Sequence, residues 1–300
     1  SCLRARRPCT VAGMASRPTP PSSGRPAPRV AWLGDTEAEE LALARAWVAE
    51  VAHVTDLPDD GGDGPPPTVA VLAGHRAARW SLAAAVAVSR RWPLTPLVTA
   101  VTSLADGRRR SGPWLPGIEE VAWHDLPGRL NCWLVELAAG RPGTLGLPAT
   151  VRREERLADS AARVRAVVTT LEPRPRVSIA GSCRTSLEGV ADMVAAAGFP
   201  VAGRTRGRPR LDDDADLLVW DTGQPSDNDL AWLGMLAANR PGLGIVLLDS
   251  FPRGDTARAA VQAGAAAILG RPVGLEALAG TLLRLAAGPR VAIGGAGAAG

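Results

Sequence analysis

Short apolar strands alternate with Ala/Leu-rich helical stretches, and the alternation runs through the chain twice. The first run reads as strand Arg29–Leu33, helix Thr36–Glu50, strand Val51–Val54, strand Thr68–Leu72, helix Ala77–Arg91, strand Leu97–Thr102, strand Ile118–Trp123 and helix Gly128–Ala139. The pattern restarts at Arg176 with RVSIAG, a helix ending on Gly198, FPVAGR and DADLLVWD. A helix Asn228–Asn239, GIVLLDS, a helix Thr256–Ala263, AAAILG and a helix Leu275–Ala287 complete it. Strands that alternate with helices of ten to fifteen residues specify βαβ units and a parallel sheet. Their continuous apolar character fits strands covered on both faces. The expected class is therefore α/β, with two parallel five-stranded sheets in tandem, each a three-layer domain.

The expected organisation is an arm over residues 1–28, a first domain over 29–146, a connecting helix and linker over 147–174, a second domain over 175–288 and a flexible tail over 289–300. The arm is rich in Pro, Ser and Arg without apolar periodicity, a disordered composition. Met14 within it reads as the natural start. The connecting segment Val151–Leu171 is charged at its start and apolar at Leu157, Ala161, Val164, Val167 and Val168, a helix expected to lie against one domain.

Composition excludes several function classes. The net charge is +4, but the six arginines of residues 1–29, with no acid among them, leave the rest of the chain at −2. Basicity thus belongs to the arm, and a nucleic-acid-binding surface is not expected. The four cysteines, Cys2, Cys9, Cys132 and Cys183, form no CxxC pair, which argues against a zinc ribbon or a disulfide scaffold. All 34 basic residues are arginine, so Schiff-base chemistry and a Walker-type lysine are excluded. No apolar run reaches the ~18–20 residues needed to span a bilayer, and a cytoplasmic location is expected.

Three segments of the second run carry a family resemblance. AGAAAILGRPVGLEAL (Ala263–Leu278) combines a helix end, a Gly-Ala turn, a strand, the basic-proline pair Arg271-Pro272 and a final helix. DLLVWDTGQPSDND ends its strand on Asp221 and places Pro225 four residues later, and GIVLLDS supplies a further strand. Residues 175–287 resemble the receiver domain of two-component response regulators, and residues 29–140 resemble it more faintly. The resemblance implies a flavodoxin-like fold and makes Asp221 the candidate phosphoacceptor. Asp249, Ser250 and Arg271 become the candidate phosphate and switch neighbours. In an open α/β sheet such residues stand at the carboxyl ends of the strands, where ligands bind.

The departures from the receiver pattern point to a degenerate domain. The acidic pair expected after the first strand reads Gly181 and Ser182, so no cofactor is expected and magnesium would find few ligands. Restoring acids at these positions should raise reactivity if the ancestral geometry survives. The lysine of the basic-proline pair is Arg271, which keeps charge but not geometry. Asp249 stands where a hydroxyl residue is expected, and could sit beside Asp221 as a second carboxylate. In the first half Gly34-Asp35 retains one acid and Thr102 the hydroxyl, but Leu72-Ala73-Gly74-His75 lacks the aspartate.

Seven of the nine tryptophans lie in the first half, where core packing is their expected role. His53, His75 and His124 are isolated. The functional expectation is a non-enzymatic regulatory protein acting through protein–protein contacts, with a sensor kinase or other signalling protein as partner. The alternative is a small-molecule-binding or catalytic protein on the same fold.

Overall fold

The computed structural model describes residues 27–76, 79–105, 115–138 and 153–288. Nearly all of the arm and the whole of the tail, with Met14, Cys2 and Cys9, lie outside the described residues. The first half is built from β1 (Arg29–Gly34), α1 (Glu39–Ala49), β2 (His53–Leu57), β3 (Val69–Gly74), α2 (Leu82–Arg91), β4 (Leu97–Val101), β5 (Glu119–Ala122) and α3 (Leu126–Ala138). Helix α4 (Arg153–Val168) connects it to β6 (Val177–Gly181), α5 (Arg184–Ala196), β7 (Val201–Arg206), β8 (Leu217–Gly223), α6 (Asp227–Asn239), β9 (Gly244–Asp249), α7 (Gly254–Gln262), β10 (Ala267–Gly270) and α8 (Leu275–Ala287).

The strands form two parallel five-stranded sheets, as expected, ordered β2-β1-β3-β4-β5 and β7-β6-β8-β9-β10. Both orders are the flavodoxin-like order second-first-third-fourth-fifth, with the topological switch point between the first and third strands of each sheet. The central strands are buried throughout: β3 reads VAVLAG and β6 VSIAG, without an exposed residue. The edge strand β7 instead carries Arg204 and Arg206, a polar edge that discourages pairing with other chains.

Strand β2 begins at His53, two residues later than the sequence pattern places it. The N–H groups of Val51 and Ala52 both return to the Val48 carbonyl and finish the turn of α1 before the strand can start. The connecting helix α4 buries Val164 and Val168 in the core of the second half, and Arg163 reaches back to Glu136 of α3.

The two halves are welded along α1–α7 and α3–α8. One apolar cluster runs without a break from Trp47, Trp123 and Leu126 of the first half to Trp220, Leu233 and Ile245 of the second. Six first-half tryptophans, Trp32, Trp47, Trp80, Trp92, Trp123 and Trp133, are buried, and Trp47 stacks on Trp123 with ring centroids 6.3 Å apart. Trp114 lies outside the described residues. At the crossing of α3 and α8, a Cβ on Gly280 would come within 1.9 Å of the Gly128 carbonyl oxygen. The two backbones therefore approach as closely as glycine permits. Polar ties frame this seam. Arg129 of α3 donates to both Glu119 and Glu276, at 2.6 and 3.1 Å. Glu40 of α1, buried, accepts from the N–H of Ser103 at 2.7 Å and of Gly254 at 3.2 Å.

Candidate functional site at the strand ends

Alternation along β8 sends Leu217 and Val219 to the face covered by α5 and α8, and Leu218 and Trp220 to the face that adjoins the first half. Asp221 continues the first set. It is only 4% exposed. The first turn of α5 brings Ser186 over it, and the Ser186 hydroxyl donates to Asp221 Oδ2 in a short hydrogen bond. Arg271, just past β10, places Nη1 3.2 Å from Asp221 Oδ1 and donates from Nη2 to the Ser186 oxygen at 3.2 Å. Asp221, Ser186 and Arg271 thus form a closed three-member cluster.

Directly across the ladder, Gly181 pairs with Asp221. A Cβ on Gly181 would stand 3.0 Å from Asp221 Cβ and 3.1 Å from its carbonyl oxygen. An acid introduced there requires β8 at Asp221 to give by a few tenths of an ångström, so restoring the acid at 181 also shifts the phosphoacceptor position. Ser182 and Cys183 are exposed beyond the strand end.

Asp249 does not join this cluster. Along β9 it falls in phase with Ile245 and Leu247, the set facing the first half, and no hydrogen bond or ion pair links it to Asp221 among the described residues. Its Oδ1 accepts from the Phe251 N–H at 2.9 Å. Burial pushes its carboxyl above the ordinary range, opposed by that N–H and by the charge of His124. Ser250 is exposed, and its N–H donates to the Gly223 carbonyl. Of the four expected site residues the fold therefore joins Asp221 and Arg271, while Asp249 and Ser250 stand apart from them.

Two residues at the strand ends escape a reading of the sequence. Ser186 carried a weak signal, a hydroxyl in the first turn of the helix after β6. His124 carried none, because its partner is 146 residues away: the Gly270 N–H donates to His124 Nδ1 at 3.1 Å. Gly270 is required there, since a Cβ would come within 2.3 Å of the imidazole. Asp125 Oδ1 lies 3.0 Å from the same Nδ1. Cys132, buried between α3 and α8, has its thiol pushed up by burial and by the charges of Glu276 and Glu136, so it is an unreactive core group.

The cluster does not suit magnesium, which favours an octahedral oxygen shell built on carboxylates and waters. Asp221 offers one carboxylate, with one oxygen bonded to Ser186 and the other facing a guanidinium. Among the described residues no group of three His, Cys, Asp or Glu side chains could hold a metal. No described helix is long and apolar enough to cross a membrane.

No protein-family model matches the chain, and no curated protein matches it. Among solved structures it is similar to a pilus assembly-related protein from Burkholderia pseudomallei K96243, at 29% identity over 38% of this chain and 90% of the other, with a TM-score of 0.36. It is similar to the BeF3-activated DrrB receiver domain, at 16% identity over 37% of this chain and 96% of the other, TM-score 0.31. A two-component response regulator/GGDEF domain protein is matched at 14% identity over 86% of this chain and 99% of the other, TM-score 0.34.

Proposed function

We propose that the chain is a regulatory protein resembling a response regulator, whose receiver-like domains are degenerate and act through protein–protein contacts. The reading rests on one observation above all: the carboxylate at the phosphoacceptor position is already engaged by side chains of the chain itself. Ser186 holds one oxygen of Asp221 and Arg271 faces the other. A nucleophile must present a free lone pair in line with the phosphoryl donor, and the charge of the transferred group must be neutralised by a metal. Asp221 Oδ1 accepts no hydrogen bond but stands against the Arg271 guanidinium, and among the described residues no further carboxylate joins it to hold a metal. The partner in this reading is a sensor kinase or another signalling protein of the cytoplasm, and the welded pair of domains is its docking body.

Incubation with a small phosphodonor and magnesium, followed by intact-mass measurement, tests the reading. The expected outcome is an unmodified mass in the wild type. Rapid, magnesium-dependent modification that disappears in Asp221→Asn overturns it.

A further inference from the structure

The switch point of the second sheet is closed by Ser186, Asp221 and Arg271. The equivalent place in the first sheet is open. A cleft of about 620 Å³ lies at the carboxyl ends of β1 and β3, lined by Asp35, Thr36, Glu37, His75, Arg76 and Arg79. Its size falls within the range of small-molecule sites, and its position is where open α/β sheets gather ligands.

The walls are pre-organised. Gly34 adopts φ +95°, and a Cβ there would meet the Ala73 carbonyl at 2.3 Å, so only glycine permits the tight turn that opens the cleft. The Trp32 indole N–H donates to the Asp35 carbonyl at 3.2 Å, and Thr102 Oγ1 donates to the His75 carbonyl at 2.9 Å. Both loops are thereby fixed to the sheet.

An inventory of hydrogen-bonding capacity decides the ligand class. Both oxygens of Asp35 are engaged: Oδ1 accepts from Arg79 Nε at 3.2 Å, and Oδ2 from the His75 N–H at 2.8 Å. Arg79 also closes on both oxygens of Asp59, at 3.0 and 2.8 Å. One guanidinium is thus shared by two carboxylates, and Arg76 is the cation of the cleft left unpaired among the described residues. What remains unused among the described residues is chiefly donor capacity. The Arg76 guanidinium and the Thr36 hydroxyl have no partner, and His75 Nδ1 is buried without one. Glu37, exposed at the rim, is a carboxylate without a partner among the described residues. A guanidinium and a hydroxyl lining one cleft match a phosphate oxyanion, and a rim carboxylate accepts from sugar hydroxyls.

We propose that the first-domain cleft binds a small phosphorylated polyol, with its phosphate on Arg76 and Thr36 and its hydroxyls on Glu37. This site is independent of how Asp221 is used. A nucleotide and a sugar phosphate share the chemistry. Titration of the full chain with ribose 5-phosphate, adenosine 5′-phosphate, ribose and inorganic phosphate separates the cases, read by calorimetry and by the emission of Trp80 beside the cleft. Saturable binding is expected for the two phosphorylated sugars, each tighter than ribose or inorganic phosphate. The tighter of the two names the source. Arg76→Ala should weaken binding about tenfold or more, as loss of a charge-assisted contact does. Because Arg76 is exposed and unpaired, the melting temperature should not move, whereas Arg90→Ala, on α2, should leave affinity unchanged. Glu37→Gln should narrow the preference over inorganic phosphate. Absence of saturable binding, equal affinity for inorganic phosphate, or indifference to Arg76→Ala in a folded variant overturns the proposal.

Discussion

Asp221 and Asp249 are both strand-end aspartates, 4% and 2% exposed, yet their surroundings give them different chemistry. Asp221 is compensated by a hydroxyl and a guanidinium, Asp249 by one backbone N–H and a more distant imidazole. Burial dominates at Asp249 and raises its carboxyl above its ordinary value of 3.8. The folded protein then takes up this proton at a higher pH than the unfolded chain does. Ionisation of Asp249 consequently costs stability at neutral pH, and the cost is relieved as pH falls into the window between the raised value and 3.8. Asp249→Asn keeps an acceptor for the Phe251 N–H and removes the charge. The variant is expected to be at least as stable as wild type at pH 7, with the difference shrinking as pH approaches 4. Paired denaturant melts at several pH values check this, and a variant whose deficit grows toward neutral pH contradicts the assignment. Asp221 and Arg271 were legible through the resemblance that their segments carry to receiver domains, and their strand-end placement from the apolar runs that precede them. Their closure by Ser186 was not, because a hydroxyl in a helix's first turn has many possible neighbours and only the tertiary approach of α5 selects one.

At the scale of elements, most of the secondary structure follows from local chemistry. Helix α6 is an example. Ser226 accepts from the Asp229 N–H, and the Asp229 side chain accepts in turn from the Ser226 N–H, a reciprocal cap. Burial pushes the Asp229 carboxyl up, but the Ser226 hydroxyl and N–H and the Arg208 guanidinium outweigh it, so the group titrates below 3.8. The stabilisation it supplies is full above 3.8 and is lost as pH falls through the lowered value. Ser226→Ala is expected to cost about 1 kcal/mol at neutral pH, with the deficit fading in acid; chemical denaturation at both ends of that range measures it. The element boundaries that the pattern misplaced are terminal turns, such as Val51 and Ala52 after α1. There hydrogen bonding, and not hydropathy, decides where the helix ends.

For the whole molecule, the decisive contact is the crossing of α3 and α8. Gly280→Ala places a methyl 1.9 Å from the Gly128 carbonyl and 2.8 Å from Cys132 Sγ. Backbone cannot yield as a flexible side chain does, so the helices must separate. A loss of at least about 1–3 kcal/mol is expected, together with a melting profile that divides as the two halves uncouple. Gly189→Ala, on the exposed face of α5 with nothing within 4 Å of the new Cβ, is the matched control. It should gain about 0.5–1 kcal/mol because alanine restricts the unfolded chain and suits a helix interior. Calorimetric scans of both variants read the two outcomes, and a neutral Gly280→Ala would show that the seam is looser than the structure has it.

The order of strands and helices, the parallel sheets and the strand-end aspartates are properties of the sequence alone. They arise from local preferences and from short continuous apolar runs alternating with helical stretches, which a linear reading can follow. The tertiary structure alone decided the continuous core between the halves, the Gly128–Gly280 approach, the His124–Gly270 bond and the open cleft in the first domain against the closed cluster in the second. Each joins residues distant in sequence. Glycine marks such contacts by what it lacks, and so leaves no pattern in the chain that announces its partner.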